Sequence, residues 1–178
     1  MKKLRGNQGF TIVETMIVLA IAGLILLVVL LAIPALERSS RNNQQRQDVQ
    51  TLLLAISHYE LNNSGTMPSA AAPLSAADLS KLTYYDRTNI TYQQAPCMVP
   101  NTVQIAVCIS ANWTDAPASL TTYGADGIPH LGQVFIYNHE VCDPSTGGAV
   151  RTGAGFSSVV ALYGIESGQG GNIQCQQL

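Results

Sequence analysis

Glu14 is the only charged residue between Arg5 and Glu37, and it sits at the start of a long apolar stretch. A carboxylate one turn inside an apolar helix is costly, roughly 2.5–3.5 kcal/mol at a bilayer centre, and less near the helix end where the side chain reaches the interface. It therefore asks for a counter-charge, or at least for the positive end of a helix dipole. The other reactive groups are four cysteines, Cys97, Cys108, Cys142 and Cys175. None forms a Cys-x-x-Cys pair, and no histidine stands at a zinc-like spacing from one. An even number of thiols in a polar segment of extracytoplasmic character points to two disulfides rather than a metal site. Three pairings are open, and the one favoured joins Cys97 with Cys108 and Cys142 with Cys175.

The remaining candidates carry little chemistry. His58, His130 and His139 are scattered, and the adjacent pair His139-Glu140 would point to opposite faces of a strand. Asp115, Asp126 and Asp143 form no ordered run of oxygen ligands of the kind calcium needs, and Asp126-Gly127 reads as a turn. There is no Gly-x-Ser-x-Gly motif, phosphate-binding loop or nucleophile–base signature. Nothing in the chain points to an enzyme, and no cofactor or metal is expected. Trp113 reads as a core anchor, and the Asn-x-Ser/Thr triplets at Asn62, Asn89 and Asn112 as chance occurrences.

The elements that hold these residues divide the chain. From Met16 to Ile33 the sequence is wholly apolar apart from Gly23 and uncharged throughout, long enough to cross a hydrocarbon core of about 30 Å. Beyond Asn62 the composition turns to Ser, Thr, Asn, Gln, Gly and Ala, enough chain for one modest core. The net charge is −2, with Lys2, Lys3 and Arg5 in the first nine residues, so no polybasic groove for nucleic acid is present. Basic residues flank the apolar run on both sides, with Arg38, Arg41 and Arg46 following it, so their count alone does not orient it. The short basic start and the distal cysteines do, by placing the larger part outside.

The helix is expected to run from Phe10 to about Asn62, with Pro34 bending it. Val49, Leu52, Leu53, Ile56 and Tyr59 recur at three- and four-residue steps, making one apolar stripe in its second half. Asn62-Asn63-Ser64-Gly65-Thr66-Met67-Pro68 ends it. A short helix follows near Ser75–Leu82, with Ser75 as cap and Asp78 three residues on. Strands are expected at Asn89–Gln93, Val103–Ile109, Gln133–His139, Ser158–Ile165 and, more weakly, Asn172–Gln176; Gly147-Gly148 and Gly168-Gln169-Gly170-Gly171 read as turns. The fold class is α+β: a long kinked N-terminal helix packed against a C-terminal antiparallel sheet.

The start of the chain, Lys2-Lys3-Leu4-Arg5-Gly6-Asn7-Gln8-Gly9 followed by Phe10-Thr11-Ile12-Val13-Glu14, resembles the type IV prepilins and the related secretion pseudopilins. That family has a short basic leader ending in Gly, a Phe or Met opening the mature protein, and Glu at its fifth position. Gly9, Phe10 and Glu14 meet all three, and Gly23 falls where many such helices carry glycine. The family's common proline lies three residues before Pro34, where this chain has Leu31. The resemblance implies cleavage between Gly9 and Phe10 by a prepilin peptidase and methylation of the Phe10 amine. It implies that the amine then pairs with Glu14 of a neighbour in a helical homo-oligomer raised by pilus assembly machinery. Gly9 offers no side chain to obstruct a protease cleft, and the cut leaves the anchor in place. The implied domains are a leader at 1–9, a membrane and filament-core helix at 10–35, its amphipathic continuation at 36–63 and an extracellular α+β head at 64–178. The Cys142–Cys175 loop would resemble the carboxy-terminal disulfide loop of many pilins. The subunit would sit in the cytoplasmic membrane before assembly and in a surface fibre afterwards. A pseudopilin of a secretion or uptake system is the nearest alternative; a membrane-tethered monomeric binding protein is the alternative of another class.

Overall fold

A computed structural model describes residues 9–94, 97, 100, 102–109, 131–142, 150–152, 158–167 and 170–178. The chain divides into two compact units, one ending at Ser40 and the other beginning at Arg41. The helix α1, Ile12–Asn62, contributes to both and includes Pro34. In the first unit its side chains are exposed along the whole apolar run, Leu19, Leu24, Leu30 and Leu31 among them.

In the second unit α1 carries the stripe the periodicity requires. Val49, Leu52, Leu53 and Ile56 are fully or almost fully buried, and Tyr59 is half-buried. The helix ends where Ser64 and Gly65 both take left-handed backbone, and the Gly65 N–H returns to the Glu60 carbonyl at 2.8 Å, closing the last turn. The short helix α2, Ala76–Leu79, is capped by Ser75, whose Oγ accepts from the Asp78 N–H and donates to Asp78 Oδ2.

Seven strands follow: β1 Ile90–Gln94, β2 Ile105–Ile109, β3 Val134–Asn138, β4 Glu140–Cys142, β5 Val150–Thr152, β6 Val159–Ser167 and β7 Gly170–Gln177. Five of them make one sheet in the order β1-β2-β3-β6-β7, and β4 pairs with β5 separately. The class is α+β, with β3, β6 and β7 antiparallel as expected, whereas β1-β2 and β2-β3 run parallel and make the sheet mixed. Parallel neighbours need crossover connections rather than tight turns, and nothing in the strand residues themselves announces the difference. Gly170 and Gly171 belong to β7, paired with Ser167 and Glu166, instead of to a turn. The β4–β5 sheet was not anticipated; its two strands, of three residues each, are too short to show a period.

Both faces of the large sheet are covered, and the strands alternate between them. Val134, Ile136, Val159, Ala161, Tyr163 and Ile165 face the stripe of α1, while Phe135, Tyr137, Val160 and Leu162 join Ile173 and the cysteines on the other side. Cys97 is bonded to Cys108 and Cys142 to Cys175. The second bond closes a loop across a sequence separation of 33, and such a loop contributes roughly 3–4 kcal/mol by restricting the unfolded chain. Replacing Cys142 and Cys175 together by Ser is expected to lower the stability of the head by about that amount. Urea unfolding of the variant beside the oxidised wild type measures it; midpoints that coincide would refute the expectation.

Candidate functional site

The residues with chemical potential at the N-terminus lie at the mouth of α1. Gly9 and Phe10 precede the helix and are exposed, Phe10 by 87%. Thr11 is the residue before the first helical turn, and Glu14 is three residues on. The Thr11 N–H and its hydroxyl both donate to Glu14 Oε2 at 2.9 Å, and the Glu14 N–H donates to Thr11 Oγ1 at 3.3 Å. This is a reciprocal capping box, which satisfies N–H groups that the first turn leaves without helical partners. The Thr-x-x-Glu spacing at 11–14 is the sequence signature of such a box, a role beyond the helix dipole and the neighbouring amine expected for Glu14.

The cap gives Glu14 a defined place in the single chain. Both bonds from Thr11 end on Oε2, and Oε1 takes neither of them. The carboxylate is thus oriented at the helix mouth within a few residues of Phe10 N. A Cβ added at Gly9 or at Gly23 would meet nothing within 4 Å, so neither glycine is required by packing within this chain. α1 is long and apolar enough to cross a membrane, and none of its most apolar window is buried by the chain itself.

In the second unit, the side chains that fix α1 on the sheet are polar. Arg41 forms a two-pronged ion pair with Glu166, Nε to Oε1 at 2.9 Å and a terminal N–H to Oε2 at 2.9 Å. Asn42 Nδ2 donates to the Glu166 carbonyl at 2.9 Å and Asn42 Oδ1 accepts from the Glu166 N–H at 3.0 Å, so one side chain satisfies one residue's backbone twice. Gln45, buried, donates to the Gly164 carbonyl at 2.8 Å and to Tyr85 Oη at 2.9 Å. Burial pushes the Tyr85 phenol well above its ordinary range, with the Gln45 bond opposing this.

Asp48 completes the series and is 2% exposed. Its Oδ2 accepts from the N–H groups of Thr83, Tyr84 and Tyr85 at 2.9, 2.6 and 3.0 Å, and its Oδ1 from the Thr83 hydroxyl at 3.1 Å. Three successive N–H groups converging on one carboxylate form a nest for an anion. Neither Gln45 nor Asp48 is apolar, so a stripe read from hydrophobic spacing omits them. Their spacing to Val49, Leu52 and Ile56 extends the buried stripe by one turn, and that signal was available.

Among the described residues no group of three or more His, Cys, Asp or Glu side chains could hold a metal ion. His58 lies on α1 and His139 follows β3 with left-handed backbone (φ 63°), so His139 and Glu140 are not successive residues of one regular strand. His130, Trp113, Asn112, Asp115, Asp126, Asp143 and the Gly147-Gly148 turn lie outside the described residues.

Comparison with known proteins locates one feature. Residues 4–30 match the prokaryotic N-terminal methylation motif, which is the prepilin-type signature. No curated protein and no solved structure matches the chain.

Proposed function

We propose that this chain, which carries the prepilin-type signature at residues 4–30, is a structural subunit of a type IV pilus. Prepilin peptidase cuts between Gly9 and Phe10, and the new amine on Phe10 is methylated. Residues 10–35 anchor the subunit in the cytoplasmic membrane and then pass into the filament core. Residues 36–63 carry the helix to the head, 64–178, on the surface of the fibre. The pilus assembly machinery raises the subunit, and the contact between copies is made through the N-terminal helix. No nucleic acid is bound directly and no catalytic group is involved.

The observation that supports this most is the pairing of that motif with a helix whose apolar side chains are exposed all round. A helix of that kind requires lipid or other helices as its surroundings. In a bundle of such helices the gain comes from close packing and polar contacts rather than from escape from water. Gly23 fits that setting, because its small size serves no contact within its own chain. Glu14, oriented by Thr11, offers a carboxylate at the helix mouth to the Phe10 amine of a neighbour.

Intact-mass spectrometry of material sheared from the cell surface, with and without reductant, tests the reading. The expected mass begins at Phe10, carries one added methyl group, and rises by four protons on reduction of the two disulfides. The same processed mass confined to the membrane fraction would make the subunit a pseudopilin. A chain retaining Met1–Gly9 would overturn both and leave a membrane-tethered head.

A further inference from the structure

Glu140 is a buried acid that its surroundings do not satisfy. It opens β4, is 0% exposed, and among the described residues neither Oε1 nor Oε2 has a hydrogen-bond partner. The contrast with Asp48 is instructive, since that buried carboxylate receives three N–H groups and a hydroxyl. An ionised carboxylate without donors is strongly disfavoured in a protein interior, and the usual resolution is to keep the proton.

Among the described residues the neighbouring elements supply no compensating bond. β3 brings Tyr137, fully buried, whose ionisation is opposed first by that burial and then by the charge of Glu140. β6 carries Tyr163 and Glu166, the latter engaged by Arg41. β7 has no titrating side chain, its one cysteine being in a disulfide. On β5, Thr152 stands opposite Glu140 in register and Arg151 opposite Val141.

The backbone around Glu140 is built like a hinge. β3 leaves the five-stranded sheet at His139, whose left-handed backbone (φ 63°) redirects the chain into the separate β4–β5 sheet. The Cys142–Cys175 bond and the Cys142 N–H, which donates to Gln177 Oε1 at 2.9 Å, link that small sheet to β7. We propose that Glu140 is a pH-operated latch: the head closes around its neutral acid, and ionisation loosens the β4–β5 sheet about His139 while the Cys142–Cys175 bond keeps it attached. The device belongs to the head and does not depend on how the N-terminal helix is used.

Burial raises the Glu140 pKa to about 7 from the 4.5 of an exposed carboxyl. The closed form therefore holds a proton that the open form releases. The latch is at full strength below the lower value, weakens between the two, and reaches its floor above the higher one. Amide hydrogen exchange on the full-length chain in detergent micelles reads this at the β4 and β5 amides, with intrinsic exchange rates divided out. Those two pKa values imply a rise in the opening equilibrium of about tenfold from about pH 6 to about pH 8.5. Glu140→Gln is expected to give a flat profile. Glu60, whose pKa burial also raises, would move global stability with the same sign, so the local amides and not the melting temperature are decisive. A flat wild-type profile, or an equal rise in Glu140→Gln, would overturn the proposal. Should that variant fail to fold, the carboxyl carbon of Glu140 can be titrated by NMR in the wild type: a midpoint near 7 supports the latch and one near 4.5 excludes it.

Discussion

A chain with Glu14 replaced by Ala is expected to be cleaved and methylated normally, yet to yield roughly tenfold to a hundredfold fewer surface filaments. A charge-assisted hydrogen bond contributes about 1.5–3 kcal/mol, and each 1.4 kcal/mol is tenfold in the affinity of one subunit for the growing end. The capping box makes a sharper experiment possible. Glutamine serves in a Thr-x-x-Gln box almost as well as glutamate does, so Glu14→Gln keeps the bonds to Thr11 and removes only the charge. If pairing with the Phe10 amine governs assembly, Gln fails nearly as badly as Ala. If the carboxylate acts only as a cap, Gln assembles like the wild type and the pairing is refuted. Thr11→Ala is the complement: it removes the orienting hydroxyl but leaves the charge, and should lose only a few-fold in filament yield. Counting filaments by electron microscopy, beside the processed mass in the membrane fraction, separates failed assembly from failed cleavage.

Replacing Asp48 by Ala is expected to destabilise the head by about 3–5 kcal/mol, since buried donors left unmade cost about 1–3 kcal/mol each and some regain water. That is a large part of the 5–15 kcal/mol typical of a whole domain. The N–H groups of Thr83, Tyr84 and Tyr85 all converge on this one carboxylate. Asp48→Asn should recover part of the loss, because its amide oxygen can take the Oδ2 position while its NH2 confronts the Thr83 N–H. The control is Arg41→Ala, which breaks an ion pair whose side chains are 45% and 27% exposed; exposed pairs are worth about 0–1 kcal/mol. Urea midpoints of the three variants decide the matter, and an Asp48→Ala midpoint no lower than that of Arg41→Ala would refute the clamp.

The two expected results draw on different kinds of information. The N-terminal motif is contiguous, from the basic start through Gly9, Phe10 and Glu14 into an uncharged apolar run, and its match at residues 4–30 needs no folded head. The amphipathic stripe at Val49, Leu52, Leu53 and Ile56 is equally local, because a helix brings every third and fourth residue to one face. Ser75 and Asp78 were legible for the same reason. The five strands of the large sheet were recognisable, most of them by their Val, Ile and Tyr content, to within a few residues at each end.

By itself the sequence determined the helices, the five strands of the large sheet, their order and the one face of α1 that must be covered, because these follow from residue types at fixed short spacings. Only the tertiary structure decided which strands are neighbours and in which direction. It made β1-β2-β3 parallel, set β4 and β5 apart, and drew Gly170 and Gly171 into β7. It also turned polar residues into core: Asp48 is buried because the 83–85 backbone supplies its donors from 35 or more residues away, while Glu140 is buried with none among the described residues. No pattern along the chain distinguishes those two carboxylates. The free energy of a buried charge depends on which dipoles surround it, and those dipoles arrive only when distant segments meet.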